Sequence, residues 1–154
     1  MKIRMLMALV LLISGALSVA EEKWLTDFEA AKKQAEEKKL PILADFSGSD
    51  WCGWCNLLDS EVFSKKAFLE HASTNYILFV ADFPMHKVLP EETAKQNTTL
   101  AEKYDIKGFP TVLILDKSGK ELARTGYREG GEAAYIEHLK QLLENSSKEA
   151  DKKK

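Results

Sequence analysis

The sequence predicts an α/β fold, a single domain in which a central mixed β-sheet is flanked by helices. Its 154 residues are too few for two ordinary domains and enough for one with a substantial core. Short apolar runs typical of buried strands alternate with amphipathic segments of helical spacing, which indicates a parallel core covered by helices. Residues 116–119 form a turn cluster between the last two strands, so that pair is expected to be an antiparallel hairpin at one end.

The predicted elements follow from the spacing of apolar residues and from their flanking caps and turns. They are a helix over 26–39 that opens with a capping box at Thr26, a strand over 41–46, a helix from Cys52 that restarts at Ser64, a strand over 76–81, a helix over 91–104, strands over 111–115 and 121–125, and a last helix from Gly130-Gly131. These elements define a domain over 21–145. Residues 146–154 offer only Ala150 as apolar content, which predicts a disordered charged tail.

The composition excludes several classes of protein. Hydrophobic residues make up 45% of the chain and charged residues 30%, with 8 Gly and 4 Pro, so the chain is neither collagen-like nor low-complexity. The net charge of -2 provides no basic field for a phosphate backbone, and nucleic acid is therefore not an expected partner. The 2 cysteines cannot build the multiple disulfides that stabilise small secreted proteins.

The first twenty residues have the pattern of a secretory signal peptide. Lys2 and Arg4 precede the apolar run Met5–Ile13, and small residues lead up to Ala20, where cleavage is expected. A membrane anchor is the alternative, but Ser14 interrupts a run already short of the roughly 20 apolar residues that a span needs. We therefore expect an exported monomer with no stable membrane association after cleavage. Its location would be the periplasm of a bacterium, or otherwise the secretory pathway.

The chemistry-bearing motif is Trp51-Cys52-Gly53-Trp54-Cys55, placed where a predicted buried strand gives way to a helix. Two cysteines three residues apart on a first helical turn can close a small disulfide. The free N–H groups and the positive end of the helix dipole stabilise a thiolate on the outer sulfur, that of Cys52. Cys52 is then expected to attack a partner disulfide, and Cys55 to resolve the mixed disulfide.

Three other interpretations of the cysteine pair compete with redox chemistry. A zinc site needs two more ligands, and the three histidines, His71, His86 and His138, do not have the expected spacing. Haem attachment would need a histidine after Cys55, where Asn56 stands. A purely structural disulfide of this span closes too short a loop to stabilise much. Redox chemistry is the favoured interpretation, and it requires neither a metal nor a dissociable cofactor.

The sequence resembles exported thioredoxin-like proteins of the thioredoxin-fold superfamily. The resemblance covers about residues 24–143 and rests on four features: Asp45 on the strand before the motif, the Trp51–Cys55 motif itself, residues 106–111 around the family's cis-proline position, and Gly126 before the last helix. It implies a single thioredoxin-like domain and an extracytoplasmic thiol–disulfide oxidoreductase. The expected partners are cysteine-containing protein substrates and an upstream redox partner.

The resemblance also implies roles for individual residues. Cys52 and Cys55 would be catalytic, with Asp45 a buried carboxylate that moves a proton to or from the resolving thiol. Substrate would contact Trp51, Trp54, Phe109 and a cis Pro110. Each role has a plainer alternative: Asp45 as a strand-end cap, Pro110 as a trans residue starting a strand, and Phe109 and the tryptophans as core.

Four departures from the family pattern bear on these expectations. Six residues instead of the usual five separate Asp45 from Cys52, which puts the position of the carboxylate in doubt, and the strand over 76–81 lacks the lysine often found there. The motif lacks the histidine of strongly oxidising relatives, which favours the reductase or isomerase direction. The segment after Asp82 is longer than in a minimal thioredoxin and would extend the recognition surface. A redox-inert or copper-handling binding module is the alternative function, with Met85 and His86 as candidate additional ligands.

Overall fold

The helices and strands follow the predicted order in the computed structural model, which describes residues 24–152. They are α1 (Phe28–Lys38), β1 (Ile42–Ser47), α2 (Gly53–Leu58), α3 (Lys66–Asn75), β2 (Ile77–Asp82), α4 (Glu91–Lys103), β3 (Thr111–Leu115), β4 (Glu121–Thr125) and α5 (Gly131–Lys152). A π-helical turn, Asp59–Phe63, lies between α2 and α3. The predicted signal peptide lies outside the described residues. Among the helices described, none combines the length and apolar character needed to cross a membrane.

The sheet is mixed, as predicted, with strand order β2-β1-β3-β4. β1 pairs in parallel with β2 and antiparallel with β3, and β3 and β4 form the expected hairpin. All six residues of β1 are buried, because this strand has neighbours on both edges and packing on both faces. The carboxyl end of this central strand leads directly into the cysteine motif.

Two apolar clusters cover the two faces of the sheet. Ile42, Ala44 and Phe46 of β1 pack in one cluster with residues of α1 and α4. Leu43 packs in the other cluster with residues of α3 and α5. Successive side chains of a strand point to opposite faces, so Asp45 belongs to the face of Leu43, toward the π-helical turn and α5.

Two caps differ by one or two residues from the predicted positions. Asp27, and not Thr26, caps α1, because its Oδ1 accepts a hydrogen bond from the Ala30 N–H at 3.0 Å. Ser64 closes the π-helical turn instead of starting α3: its N–H and Oγ both donate to the Asp59 carbonyl, at 2.9 and 2.8 Å. α3 then begins after Lys65.

The charged tail differs more from its prediction, because α5 continues to Lys152 and residues 146–152 are helical. Leu142 and Leu143 anchor the preceding turn against the second apolar cluster. The Ser146 and Ser147 hydroxyls donate to the Leu143 carbonyl at 2.9 and 3.0 Å. Once a helix is nucleated by packing, residues such as Lys, Glu and Ala propagate it at little cost, so polar composition alone did not imply disorder here.

Candidate active site

The two cysteines lie at the start of α2, as the motif predicted. Cys52 is the N-cap of the helix, and its Sγ accepts a hydrogen bond from the Cys55 N–H at 3.2 Å. The pair is joined in a disulfide, with the two Cα atoms 5.3 Å apart. Cys52 and Cys55 are 6% and 4% exposed, so they differ in helix position more than in burial. The helix terminus, where N–H groups lack partners within the helix, acts on Cys52.

A glycine shapes the loop that leads into the motif. The Cys52 N–H donates to the Gly48 carbonyl at 2.8 Å, which turns the chain from β1 into α2. A Cβ on Gly48 would lie 2.5 Å from the Trp51 indole ring. Gly48 is therefore needed for Trp51 to fold back over the loop, a packing requirement that the sequence alone did not reveal.

Asp45 lines a cleft that Cys55 also lines. The cleft has a volume of about 310 Å³ and is lined by Asp45, Cys55, Asn56 and Asp59 among other residues. Burial, reinforced by the charges of Asp59 and Asp82, raises the pKa of Asp45 from its ordinary 3.8 to about 7. Oδ1 of Asp45 has no hydrogen-bond partner among the residues that the structure describes. The extra loop residue has therefore not moved this carboxylate away from Cys55.

Asp59 is a cleft residue that the sequence analysis did not single out. It stands four residues after Cys55, on the π-helical turn, and lines the same cleft. The i, i+4 spacing was the available signal, because residues four apart share one face of a helix. Val80, on the strand that lacks a lysine, pairs with Asp45 and also lines the cleft. The described residues that line this cleft include no basic side chain.

The two tryptophans of the motif, together with Phe109 and Tyr127 packed against them, form an aromatic rim next to the cysteine pair. Trp54 is 60% exposed, as expected for an apolar platform, with its ring 5.2 Å from that of Tyr127. Trp51 is 39% exposed and half packed: its ring lies perpendicular to that of Phe109 at 5.9 Å, and its Nε1 donates to the Phe83 carbonyl at 2.7 Å. Phe109 also packs on the first apolar cluster and stays partly exposed, so it contributes to the core, and its contact with substrate remains a prediction.

The Phe109–Pro110 peptide bond is cis, as predicted. A Cβ on Gly126 would approach the Pro110 carbonyl to 3.0 Å. The late glycine thus lies directly against the cis-proline segment, and a side chain there would crowd it. Trp51 joins this segment to the cysteine motif through its contact with Phe109.

The candidate copper ligands lie on the loop after β2. The backbone N–H groups of Met85 and His86 donate to the two carboxylate oxygens of Asp50, at 2.9 and 2.8 Å. Neither residue lines the cleft of Cys55. Within residues 24–152, no group of three or more His, Cys, Asp or Glu side chains is placed to hold a metal ion.

Comparison with known proteins shows the family. The family described as "Thioredoxin-like domain" matches residues 28–143. The chain is 34% identical over 127 residues to the disulfide bond reductase DsbH of Chlamydia pneumoniae, covering 82% of this chain and 76% of that protein. It is 27% identical over 118 residues to the thiol:disulfide interchange protein DsbD of Yersinia pestis, but spans only 18% of its length.

The comparison with solved structures agrees with this family assignment. The structure of DsbH oxidoreductase matches with a TM-score of 0.77 and 30% sequence identity, over 90% of this chain and 95% of that one. The C-terminal domain of Neisseria meningitidis DsbD matches in fold, with a TM-score of 0.53 and 19% identity. The chain belongs to the thioredoxin-like domain family and is a thioredoxin-fold thiol–disulfide oxidoreductase with Cys52 and Cys55 as its disulfide-forming pair.

Proposed function

We propose that this protein reduces disulfides in cysteine-containing proteins outside the cytoplasm and receives its electrons from an upstream dithiol partner. The observation that carries the proposal is the Cys52–Cys55 pair at a helix start, with Cys55 and the buried carboxylate of Asp45 lining one cleft. The name of DsbH, a disulfide bond reductase, supports the reducing direction. The signal-like segment at residues 1–20 supports an extracytoplasmic location.

The proposed reaction is a two-step thiol–disulfide exchange. In the reduced protein the Cys52 thiolate attacks a substrate disulfide, which forms a mixed disulfide and releases one substrate thiolate. The Cys55 thiol loses its proton and attacks Sγ of Cys52, which releases the second substrate thiolate and leaves the Cys52–Cys55 disulfide. The substrate gains two electrons, its thiolates take protons from solvent, and the upstream dithiol restores the pair by the same chemistry.

Asp45 would accept the proton of Cys55 in the second step. Both residues line the same cleft, and the pKa of about 7 keeps both forms of the carboxyl populated near neutral pH. A general base is most effective when its pKa lies near the working pH. In the return reaction the protonated Asp45 would give the proton back to the Cys55 thiolate. One residue thus serves both directions of exchange.

The aromatic rim would hold the substrate beside the nucleophile. Trp54 offers exposed apolar area on one side of the motif, and Trp51 with Phe109 and Pro110 does so on the other. Aromatic side chains bury a large area with few rotatable bonds, which suits contact with varied protein surfaces. An enzyme that acts on many disulfides needs such contact without strict sequence demands.

The decisive experiment traps the intermediate. Reduced Cys55→Ser and Cys52→Ser proteins are mixed with oxidised insulin, and the products are analysed on a non-reducing gel with mass spectrometry of the adducts. Cys55→Ser should accumulate a mixed disulfide through Cys52, and Cys52→Ser should not. The opposite pattern would exchange the assigned roles of the two cysteines. If the wild-type pair exchanged with neither insulin nor glutathione, the redox-inert binding module would be the better function.

A further inference from the structure

Two loops that depart from the family pattern interlock beside the active site. The loop between β1 and Cys52 holds residues 48–51, and the longer segment that follows Asp82, the last residue of β2, begins at Phe83. The Asp82 carboxylate accepts hydrogen bonds from the Ser49 N–H at 2.9 Å and from the Ser49 hydroxyl at 2.7 Å. Trp51 Nε1 donates to the Phe83 carbonyl at 2.7 Å. Each loop therefore satisfies polar groups of the other.

Asp50, on the loop of residues 48–51, accepts hydrogen bonds from the segment after β2. Its two oxygens accept hydrogen bonds from consecutive backbone N–H groups, those of Met85 at 2.9 Å and His86 at 2.8 Å. A carboxylate that accepts from two N–H groups makes charge-assisted bonds, which are stronger than neutral ones. Met85 is nevertheless 68% exposed, so its position rests on its backbone contacts and not on side-chain burial.

The interlocked loops enclose a groove of about 380 Å³. Its lining is mostly apolar: Trp51, Phe83, Pro84, Met85, Leu89 and Ala94. The polar groups of the groove already have partners, because Asp82 pairs with Lys87 at 3.0 Å and Asn97 donates to the Asp82 carbonyl at 2.9 Å. The surface offered to a ligand is therefore mostly apolar, and burying an apolar group against it is favourable.

We propose that Asp50 is a positioning residue for substrate selectivity: it holds Met85 opposite Trp51, so that the groove takes an apolar side chain next to the substrate cysteine. The proposal rests on the proposed reductase function and adds a preference among its substrates. Trp51 lines the groove and directly precedes Cys52, so the groove adjoins the site of attack. A residue adjacent to the attacked cysteine lies only one Cα step of about 3.8 Å away, and the proposal assigns its side chain to the groove.

The test compares two synthetic peptides, each closed by one disulfide and identical except for Leu or Gly directly after one cysteine. The kcat/KM of the wild-type protein is expected to favour the Leu peptide about tenfold, the effect of partly burying one such side chain. Asp50→Asn replaces one acceptor oxygen by an NH₂ group that cannot accept, and the ratio should fall to about two or less. Met85→Ser should lower the ratio similarly, and Met85→Leu should restore it.

A double-mutant cycle distinguishes positioning of Met85 by Asp50 from a non-specific loss of activity. If Asp50 acts through Met85, the Asp50→Asn and Met85→Ser effects on the ratio are not additive, and the double variant resembles either single one. Asp151→Asn makes the same chemical change at an exposed residue near the end of α5 and should keep the wild-type ratio. A loss of kcat/KM by the same factor for both peptides in Asp50→Asn would overturn the proposal, as would fully additive effects.

The wild-type result distinguishes this proposal from the function on which it rests. Reduction of the Gly peptide reports thiol–disulfide exchange itself, whatever the groove does. Equal reduction of both peptides by the wild type would overturn the selectivity proposal and leave the reductase function in place. Failure to reduce either peptide, or insulin, would overturn both.

Discussion

Asp45 and Asp50 lie five positions apart on either side of the same turn, yet their surroundings are opposite. Asp45 is buried at the end of β1, and burial raises its pKa to about 7. Asp50 is half-buried on the loop, and the Met85 and His86 N–H groups that donate to it lower its pKa below the ordinary value. Asp45 Oδ1, by contrast, has no hydrogen-bond partner in the described part of the chain.

Asp82 shows which factor decides whether the pKa of a carboxylate is raised or lowered. Burial raises its pKa, but the Ser49 donors and Lys87 outweigh burial, and the net result is a lowered pKa. Burial alone therefore does not set the direction; the supply of donors to the charged form does. A buried carboxylate without hydrogen-bond donors can exchange its proton near neutral pH. A carboxylate that accepts several hydrogen bonds stays ionised and holds the segments that donate to it.

The largest expected effect is on the pH dependence of stability. Because the folded pKa of Asp45 is raised, folding binds a proton between about pH 4 and 7, and stability falls as the pH rises through that window. The difference between 3.8 and about 7 corresponds to at most about 4 kcal/mol at pH 8. Asp45→Asn should recover about 2 to 4 kcal/mol there and little at pH 4.

This change is measured by denaturant unfolding of the oxidised protein at several pH values, so that the disulfide state stays constant. Asp151→Asn, at an exposed residue, is the matched control and should follow the wild type. An Asp45→Asn protein with the wild-type pH profile would show that the carboxylate is not held in its neutral form.

The next effect is on the resolving step. Asp45→Asn removes the proposed base for Cys55 and should slow release of the mixed disulfide about a hundredfold near pH 7, the lower end of general-base contributions. The initial attack by Cys52 should slow less. Rapid-quench kinetics with a fluorescent disulfide peptide resolve the two steps. Equal slowing of both steps would contradict the assignment of Asp45 to Cys55.

A smaller effect is expected from Asp59, whose charge is the second cause of the raised pKa after burial. Asp59→Asn should lower the pKa of Asp45 but leave it above 3.8, because burial persists. The measurement is an NMR titration of the Asp45 carboxyl carbon. Asn56→Ala, which changes an uncharged residue of the same cleft, provides the control. An unshifted titration in Asp59→Asn would mean that the two carboxylates do not interact.

The smallest expected effect concerns Asp50, whose influence on the pH dependence of stability is opposite in sign to that of Asp45. A lowered folded pKa means that the contribution of Asp50 to stability is present above about pH 4 and is lost as the pH falls further. Asp50→Asn should flatten this acid-side loss slightly, because the carboxylate keeps contact with solvent, which screens its charge. Thermal unfolding from pH 5 to 2 tests it. A steeper acid loss in the variant would reverse the proposed contrast between Asp45 and Asp50.

Several features of the site followed from local sequence. The position of Cys52 and Cys55 at a helix start required only the strand-to-helix pattern around Trp51–Cys55, and the cis Pro110 followed from resemblance to the family. The burial of Asp45 followed from its place inside an apolar strand. Asp59 was missed, although it stands four residues after Cys55, because its place in the cleft with Asp45 depends on how the π-helical turn packs against β1. The position of such a residue is set by contacts with residues distant in the chain, which the local pattern does not specify.

The sequence by itself determined the order of elements, the mixed sheet and the redox pair, because periodicity, caps and motif spacing act over a few residues. Only the tertiary structure decided which carboxylates meet which partners. Asp50 and Met85 are 35 residues apart in the chain, and Asp45 meets Asp59 across the cleft between β1 and the π-helical turn. Hydrogen-bond supply and burial depend on such distant contacts, and they give similar aspartates opposite behaviour around one disulfide.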